Sequence, residues 1–412
     1  MDLGSGLGHL SYSTLVHPGD TWDQMKASMQ VYLPQVKQRF CPDRPMGVSL
    51  RLSNASSVTL EQDAAERAWV RDFLASNDLY VYTVNAFPYG PFKGSQVKEL
   101  VYEPDWSTQD RLQYTMRVAR ILTEISDAPV EPTIQSAPLA FRPKVVDDAY
   151  IAAFTDNLLH MVGFLMDLQV QTGRRVKLAL EPEPACFLES IEETIAYFQQ
   201  HVYTPQAARR VAEFSGQPLA EAFQGLRRHL GVVFDICHQS VAFEDIDADL
   251  QSLVDAGIPI YKLQQASALN VPQVTEEIVA ELKRYTETIY LSQTTESRQG
   301  KLTRYLNLED AIAAYDPADG PRSWRTHFHV PVFLDDLGPF RTTRDGVLAA
   351  LRFHARSPLS THLEIETYTW DVLPPHLKDG DIVDYVVREL QFVEQALRQA
   401  RSESEQPAGS AH

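Results

Sequence analysis

The stretch Gly231-Val-Val-Phe-Asp-Ile-Cys-His238 decides how this chain is read. Its apolar run has the length of a buried strand. Asp235 therefore falls at the strand's C-terminal end, and His238 lies in the loop or at the start of the helix beyond. A carboxylate and an imidazole then share one strand mouth, where they can hold a divalent metal. A lone D-x-x-H is common by chance, and its weight comes from company.

Two other runs end in the same way. Arg175-Val-Lys-Leu-Ala-Leu-Glu181 closes on a glutamate and continues as Pro182-Glu183-Pro184, and Thr361-His-Leu-Glu-Ile-Glu366 closes on another. Charge is costly to bury unpaired, and acidic residues are depleted in strands. One such glutamate is ordinarily an exposed edge residue or the N-cap of the next helix. Three acidic strand ends in one chain suggest a common cause. In a parallel barrel all C-terminal strand ends open onto one face, where that fold keeps its active site.

The rest of the chain fits that arrangement. Strand-like segments near 10–15, 46–53, 79–86, 130–136, 175–181, 231–235, 258–264 and 361–366 alternate with amphipathic stretches, the pattern of parallel α/β architecture. Helices are expected near 21–40, 60–76, 108–125, 147–171, 190–201, 218–229, 274–287, 344–354 and 380–399. In the helix near 147–171, Ile151, Phe154, Leu158, Met161, Val162, Leu165 and Leu168 form one apolar stripe. His160 on that helix reads as a flank or core histidine. The expectation is an α/β (β/α)8 TIM barrel over residues 1–400. Residues 265–343 form a long insertion between the last two strands, read as a lid over the mouth. The polar segment 401–412 reads as a disordered tail.

Composition narrows the function. The chain has 412 residues, 44% hydrophobic and 22% charged, as in ordinary globular proteins. A net charge of −18, with no Lys/Arg cluster, argues against nucleic acid as a partner. Three widely spaced cysteines suggest a reducing compartment. The N-terminus lacks a secretory pattern and no run approaches about 18 uninterrupted apolar residues, so no membrane insertion and a cytoplasmic setting are expected.

A second metal-ligand pattern lies inside the insertion, in Trp324-Arg-Thr-His-Phe-His-Val-Pro-Val-Phe333. In an extended segment residues two apart share a face, so His327 and His329 point one way and Phe328 and Val330 the other. The candidate ligands are Glu181, Asp235, His238, His327, His329 and Glu366. Mixed imidazole and carboxylate ligation suits Mn, Zn, Fe or Co. Such a metal can polarise a carbonyl or activate water, and flanking carboxylates can move a proton between adjacent carbons. Glu364 and Glu366 share a strand face, and Glu366 is preferred as nearer the mouth. The loop Asn85-Ala-Phe-Pro-Tyr-Gly-Pro-Phe-Lys-Gly94 follows a strand, so Asn85, Phe87 and Tyr89 are candidate substrate contacts, as is His17 after the first strand. Cys237 reads as packing. No dinucleotide, phosphate-loop or serine-hydrolase motif occurs.

These residues resemble the xylose isomerase-like barrel superfamily, with its sugar isomerases, epimerases and endonuclease IV-type enzymes. In order, Glu181, then Asp235 with His238, then Glu366 match that pattern. Where the superfamily commonly has a histidine strand, this chain has Ile260-Tyr-Lys-Leu-Gln-Gln265. The candidate catalytic residues are Glu181, Glu366 and Lys262, with Gln264 a candidate substrate contact, Lys262 and Gln264 standing in the region where the superfamily has its histidine. His327-Phe-His329 looks like a variant of a later Asp-x-His found in endonuclease IV-type members. Over residues 10–395 the chain looks most like the EboE-type metabolite traffic proteins. The stretches that carry this are Ser13–Trp22, Asn85–Gly90, Val97–Tyr102 with Pro104–Trp106, and Leu363–Trp370. That implies a role in making or exporting secondary metabolites, with co-encoded pathway enzymes as partners.

Three functions are compatible with the sequence. One is a metal-dependent isomerase or epimerase acting on a small polyhydroxylated metabolite such as a sugar or cyclitol. A barrel that binds a metabolite or partner without catalysis is the second, motivated by Lys262 and Gln264 standing where a ligand is expected. The third is an endonuclease IV-like phosphodiesterase.

Overall fold

The computed structural model describes residues 1–92, 97–285, 289–368 and 380–405. Seven parallel strands follow the sequence reading closely: β1 (His9–Tyr12), β2 (Met46–Arg51), β3 (Leu79–Asn85), β4 (Thr133–Ser136), β5 (Lys177–Leu180), β6 (Leu230–Asp235) and β7 (Ile260–Gln265). The insertion contributes β8 (Ser267–Val271), β9 (Thr294–Arg298), β10 (Lys301–Tyr305), β11 (Ser323–Val330) and β12 (Arg341–Thr342), and β13 (His362–Ile365) returns to the barrel. The eight-stranded sheet runs β1-β13-β7-β6-β5-β4-β3-β2. Its two edges meet through a parallel bridge between Ser13 and Ser49 and a 2.8 Å bond from the Arg51 amide to Thr14 Oγ1. The fold is a (β/α)8 TIM barrel with a long insertion between its last two strands.

Local chemistry sets the elements. The second residue of β6 is Gly231, where a Cβ would stand 2.4 Å from the Pro259 carbonyl oxygen. That close approach lets Val232 N donate to Pro259 O at 3.0 Å and join β6 to β7. Asp235 ends the strand by capping the helix Ile236–Val241, its Oδ1 accepting from His238 N at 3.1 Å. The helix Asp148–Thr172 is long and apolar enough to cross a membrane by composition. Its apolar stripe, with Phe154, Leu158, Met161, Val162 and Leu165, lies within the barrel's main core, which accounts for that composition. His160 stacks on Phe214 in the outer layer, 4.1 Å between ring centroids, well removed from the mouth.

The barrel interior is polar, and its side chains stand in layers. Alternation turns Lys262 and Gln264 of β7 inward, with Glu364 and Glu366 beside them on β13. Lowest are Tyr82 and His362; Lys262 and Glu364 lie above them, and Gln264 and Glu366 reach the mouth.

The insertion folds as an antiparallel sheet in the order β10-β9-β11-β8-β12, with a core that includes Leu269, Val271, Leu282, Leu308, Trp324, Phe328 and Phe340. The stretch Thr288-Ile-Tyr-Leu-Ser292 reads as strand-like in the sequence, yet no strand forms over Ile289–Ser292, and Thr288 lies outside the described residues. There the Ile289 carbonyl accepts from Val97 N and Lys98 N instead of entering a ladder. At the C-terminus the sequence reading needs correction. Arg401–Glu405 continue the helix Ile382–Glu405, stabilised by an Arg401–Glu405 pair at 2.7 Å and an Arg401 bond to Ala355 O. Residues 406–412 lie outside the described residues.

Candidate metal centre

Three imidazoles meet over the C-terminal ends of β5, β6 and β13. His238 comes from the helix after β6, whereas His327 and His329 come from β11 of the inserted sheet. The H-x-H spacing behaves as the strand period requires, since Phe328 and Val330 turn into the insertion's own core. Each ring has an acceptor at Nδ1. His238 Nδ1 donates to Pro182 O at 2.9 Å, His327 Nδ1 to Gln293 Oε1 at 2.8 Å, and His329 Nδ1 to Glu366 O at 2.5 Å. A carbonyl oxygen only accepts, so these bonds put the proton on Nδ1 and leave the Nε2 lone pair exposed to the site.

The three Nε2 atoms converge. Those of His238 and His327 are 3.2 Å apart, and those of His327 and His329 are 3.0 Å apart. Burial holds the rings neutral, pushing His238 and His329 down to about 4 and His327 well below its ordinary value. Neutral rings protonated at Nδ1 have no proton to share there, and their lone pairs repel. A cation removes the conflict, and Zn–N bonds in a tetrahedral site would set nitrogens about 3.3 Å apart.

Carboxylates complete the donor set. Among the described residues Asp235 Oδ2 is buried without a hydrogen-bond partner, 3.9 Å from His238 Nε2. Oxygens from Glu181, Asp235 and Glu366 lie within 4.8 Å of one another, as do ligand atoms of Asp235, His238 and His329. Asp235 belongs to both groups. Burial raises all three carboxyls above their ordinary values; negative neighbours raise Glu181 and Glu366 further, while His329 opposes the rise at Asp235. A divalent ion reverses that trend by favouring the ionised forms. The orphaned Asp235 oxygen, the converging lone pairs and the mixed N/O set fit a transition metal.

Amides hold the carboxylates in place. Gln135 Nε2 donates to Glu181 Oε2 at 2.5 Å, and its Oε1 accepts from Lys262 Nζ at 2.7 Å, which fixes the amide's orientation. Asn85 Nδ2 donates to Glu366 Oε1 at 2.9 Å, and Gln264 Nε2 donates to Glu366 Oε2. The structure thus separates the two glutamates of β13. Glu366 faces the cavity, and Glu364 pairs with Lys262 at 2.9 Å beneath it.

The cavity over this floor has about 510 Å³ of empty space, its open mouth included. Of the residues expected to contact substrate, Asn85 and Phe87 line it. Three others do not. His17 stacks on Tyr32 at 4.0 Å between centroids and bonds to the Tyr12 hydroxyl, beside a separate small pocket behind β1. Tyr89 packs edge-on against Tyr114. Gln264 is buried beside Glu366 and acts as its support. Lys262 is likewise a buried support: its ammonium is held between Gln135 and Glu364, below the lining of the cavity.

Sequence reasoning missed Glu183, Gln293, Tyr102, Gln135 and Tyr368, all of which line the cavity. Glu183 accepts from the Tyr102 hydroxyl at 2.8 Å, and burial raises its carboxyl to about 8. The doubled Glu-Pro after β5 was the available signal. Cys237 packs with Val241, Ala266 and Ala268 as expected, although its sulfur also lies within 4.8 Å of ligand atoms of His327 and His329.

No protein-family model matches the chain, and no curated protein matches it. Among solved structures it is similar to a xylose isomerase-like TIM barrel protein from Mycobacterium smegmatis in complex with magnesium. The two are 10% identical over 97% of this chain and 99% of that one, with a TM-score of 0.47. A D-tagatose 3-epimerase-like protein is 11% identical over 96% and 99% of the two chains, with a TM-score of 0.49. The IOLI protein with a binding zinc atom is 11% identical over 97% and 100%, with a TM-score of 0.46. At this distance the fold rests on the strand order itself, and the chemistry rests on the side chains.

Proposed function

We propose that the chain is a metal-dependent enzyme of isomerase or epimerase type, acting on a sugar- or cyclitol-like small molecule. The observation that carries this is the convergence of three Nδ1-anchored imidazoles, two of which, His238 and His329, have ligand atoms within 4.8 Å of an Asp235 carboxylate oxygen. His238, His327, His329 and Asp235, with Glu181 and Glu366 adjoining, would hold the ion. When bound, it would supply Lewis acidity toward a carbonyl or hydroxyl of the substrate.

The residues have distinct duties. Glu181 and Glu366 directly follow β5 and β13, their oxygens within 4.8 Å, so they can face a substrate from two sides and exchange protons with neighbouring carbons. Glu183 lines the same floor, accepts from the Tyr102 hydroxyl at 2.8 Å, and brings a further carboxyl within 4.8 Å of ligand atoms of His238 and His327. Gln135, Asn85 and Gln264 fix the carboxylate orientations, and Lys262 fixes Gln135. The inserted sheet supplies two imidazoles and part of the cavity wall, as a cover over the mouth would. The resemblance to EboE-type sequences would place this reaction in secondary metabolism beside co-encoded enzymes. A duplex substrate fits poorly, because the ligands lie on the floor of a narrow cavity in a chain of net charge −18.

The test is elemental analysis of protein purified without added metal or chelator, beside Glu181→Ala, with solvent-deuterium incorporation into a sugar and cyclitol panel. About one or more equivalents of Mn, Fe, Co or Zn in the parent, reduced in the variant, together with exchange lost in Glu366→Gln, supports the reading. Absence of metal even after reconstitution overturns it in favour of a non-catalytic binding barrel.

A further inference from the structure

The walls of the cavity differ in chemistry from its floor. The floor carries Glu181, Glu183, Glu366, His238 and His327. The rest of the lining is mostly aromatic and aliphatic, including Phe87, Phe92, Tyr102, Tyr290 and Tyr368, together with Lys98, whose Nζ donates to Asn307 Oδ1 at 2.9 Å. Phe92, Tyr290 and Tyr368 form a mutual aromatic cluster, with centroid separations of 4.8, 5.3 and 5.4 Å. Tyr368 in turn lies 4.6 Å from the His329 ring, so the aromatic wall begins at the ligands themselves.

The neutral polar groups among the described lining residues are largely engaged. Asn85 donates to Glu366 and accepts from Phe87 N; Gln135 is held between Lys262 and Glu181. Gln293 accepts from His327 and donates to Tyr102 and Pro184 O, and the Tyr102 hydroxyl donates to Glu183. These groups orient the floor. A free polyol brings a hydroxyl on almost every carbon, and each one buried without a partner weakens binding. An aromatic ring instead gains from such walls by desolvation and by edge-to-face contact.

We propose that the substrate is an aryl-bearing compound with one compact hydroxy-carbonyl head, the head on the floor and the ring between the aromatic walls. This rests on the metal-centre reading above and narrows its sugar- or cyclitol-like substrate to one that carries an aryl group. A conjugate in which an aromatic ring adjoins the reacting carbons is then a better ligand than the unsubstituted polyol.

Hydroxamic acids test this, because they bind metals through a small oxygenated head whatever substituent they carry. Benzohydroxamic acid, acetohydroxamic acid and myo-inositol are titrated calorimetrically into the Zn²⁺- or Mn²⁺-reconstituted full chain. A phenyl ring sealed against these walls should strengthen binding on the order of 50-fold over the methyl analogue. Phe92→Ala should lose about 10-fold for benzohydroxamate and less than about 2-fold for acetohydroxamate. The second value also reports that the variant is folded and loaded. Phe87→Ala, in a separate cluster of the lining, should behave alike. Equal affinity for the two hydroxamates, or myo-inositol binding as tightly as benzohydroxamate, overturns the aryl proposal and leaves the metal centre standing. Binding of neither hydroxamate overturns both.

Discussion

Glu389 ties the two halves of the candidate metal centre together, and its replacement by glutamine has a calculable consequence. The residue is buried on the helix Ile382–Glu405. Its Oε1 accepts from Val332 N at 3.1 Å and from Thr367 Oγ1 at 2.7 Å. Val332 follows His329 on the outgoing chain of β11, and Thr367 directly follows Glu366. Burial raises this carboxyl from 4.5 to about 8. The folded state therefore keeps a proton between those values that the unfolded chain has released. Stability contributed by the neutral form is fully present below pH 4.5 and is lost as pH rises through about 8. At roughly 1.4 kcal/mol per unit, the difference approaches an order of magnitude of 4 kcal/mol at pH 8.5.

Glutamine keeps the accepting oxygen and carries no charge. Glu389→Gln should match the parent at pH 5 and exceed it by up to about 4 kcal/mol at pH 8.5. With a melting entropy of about 2 cal/mol/K per residue, that is a rise of roughly 5 °C in Tm. Thermal denaturation followed by circular dichroism, in chelator, at the two pH values reads the difference. An identical Tm offset at both pH values, or a less stable variant at pH 8.5, would refute the reasoning.

Three other outcomes follow from the same geometry. Asp235→Asn retains the cap on His238 N through its oxygen and places an amide where the orphaned Oδ2 stood, so the metal-free protein should be as stable as the parent or more so while bound metal is lost; unchanged metal content by elemental analysis would remove Asp235 from the ligand set. His17→Ala should lower Tm by about 1–2 °C through its lost stacking on Tyr32, with metal content and hydroxamate affinity unaltered, and any loss of either would return His17 to the site. Lys262→Met strands Glu364 in the interior and should cost about 3–5 kcal/mol, with much of it recovered in Lys262→Met/Glu364→Leu; urea denaturation of the single and double variants checks this, and an additive double variant would show that the pair does not act as one.

The barrel was legible because its rules are local. Apolar runs of strand length ending in Asp235, Glu181 and Glu366, separated by amphipathic stretches, fix both the alternation of elements and the end of each strand that gathers chemistry. The ligand candidates were legible for the same reason, since residue spacing and strand period are properties of the sequence. His327 and His329 could be placed on one face from their spacing alone. The sequence could not show that this face would close on His238, because that depends on how a second sheet of five strands docks onto the barrel.

Tertiary structure alone decided the support and the exclusions. Gln135 and Gln293 carry no motif, and their importance comes from bonds to Glu181 and His327 across 46 and 34 residues of chain. Lys262 reads as a departure from a ligand pattern and Glu364 as the rival of Glu366 for the inward place, yet the two form a buried pair one layer below the mouth. His17 follows a barrel strand as a site residue would, but its ring turns outward onto Tyr32, and nothing local records that choice. Sequence fixes which residues reach the mouth of a barrel, because strand period and strand ends are short-range. Which of them face one another is settled by packing between distant segments, where bond partners are chosen by position in space.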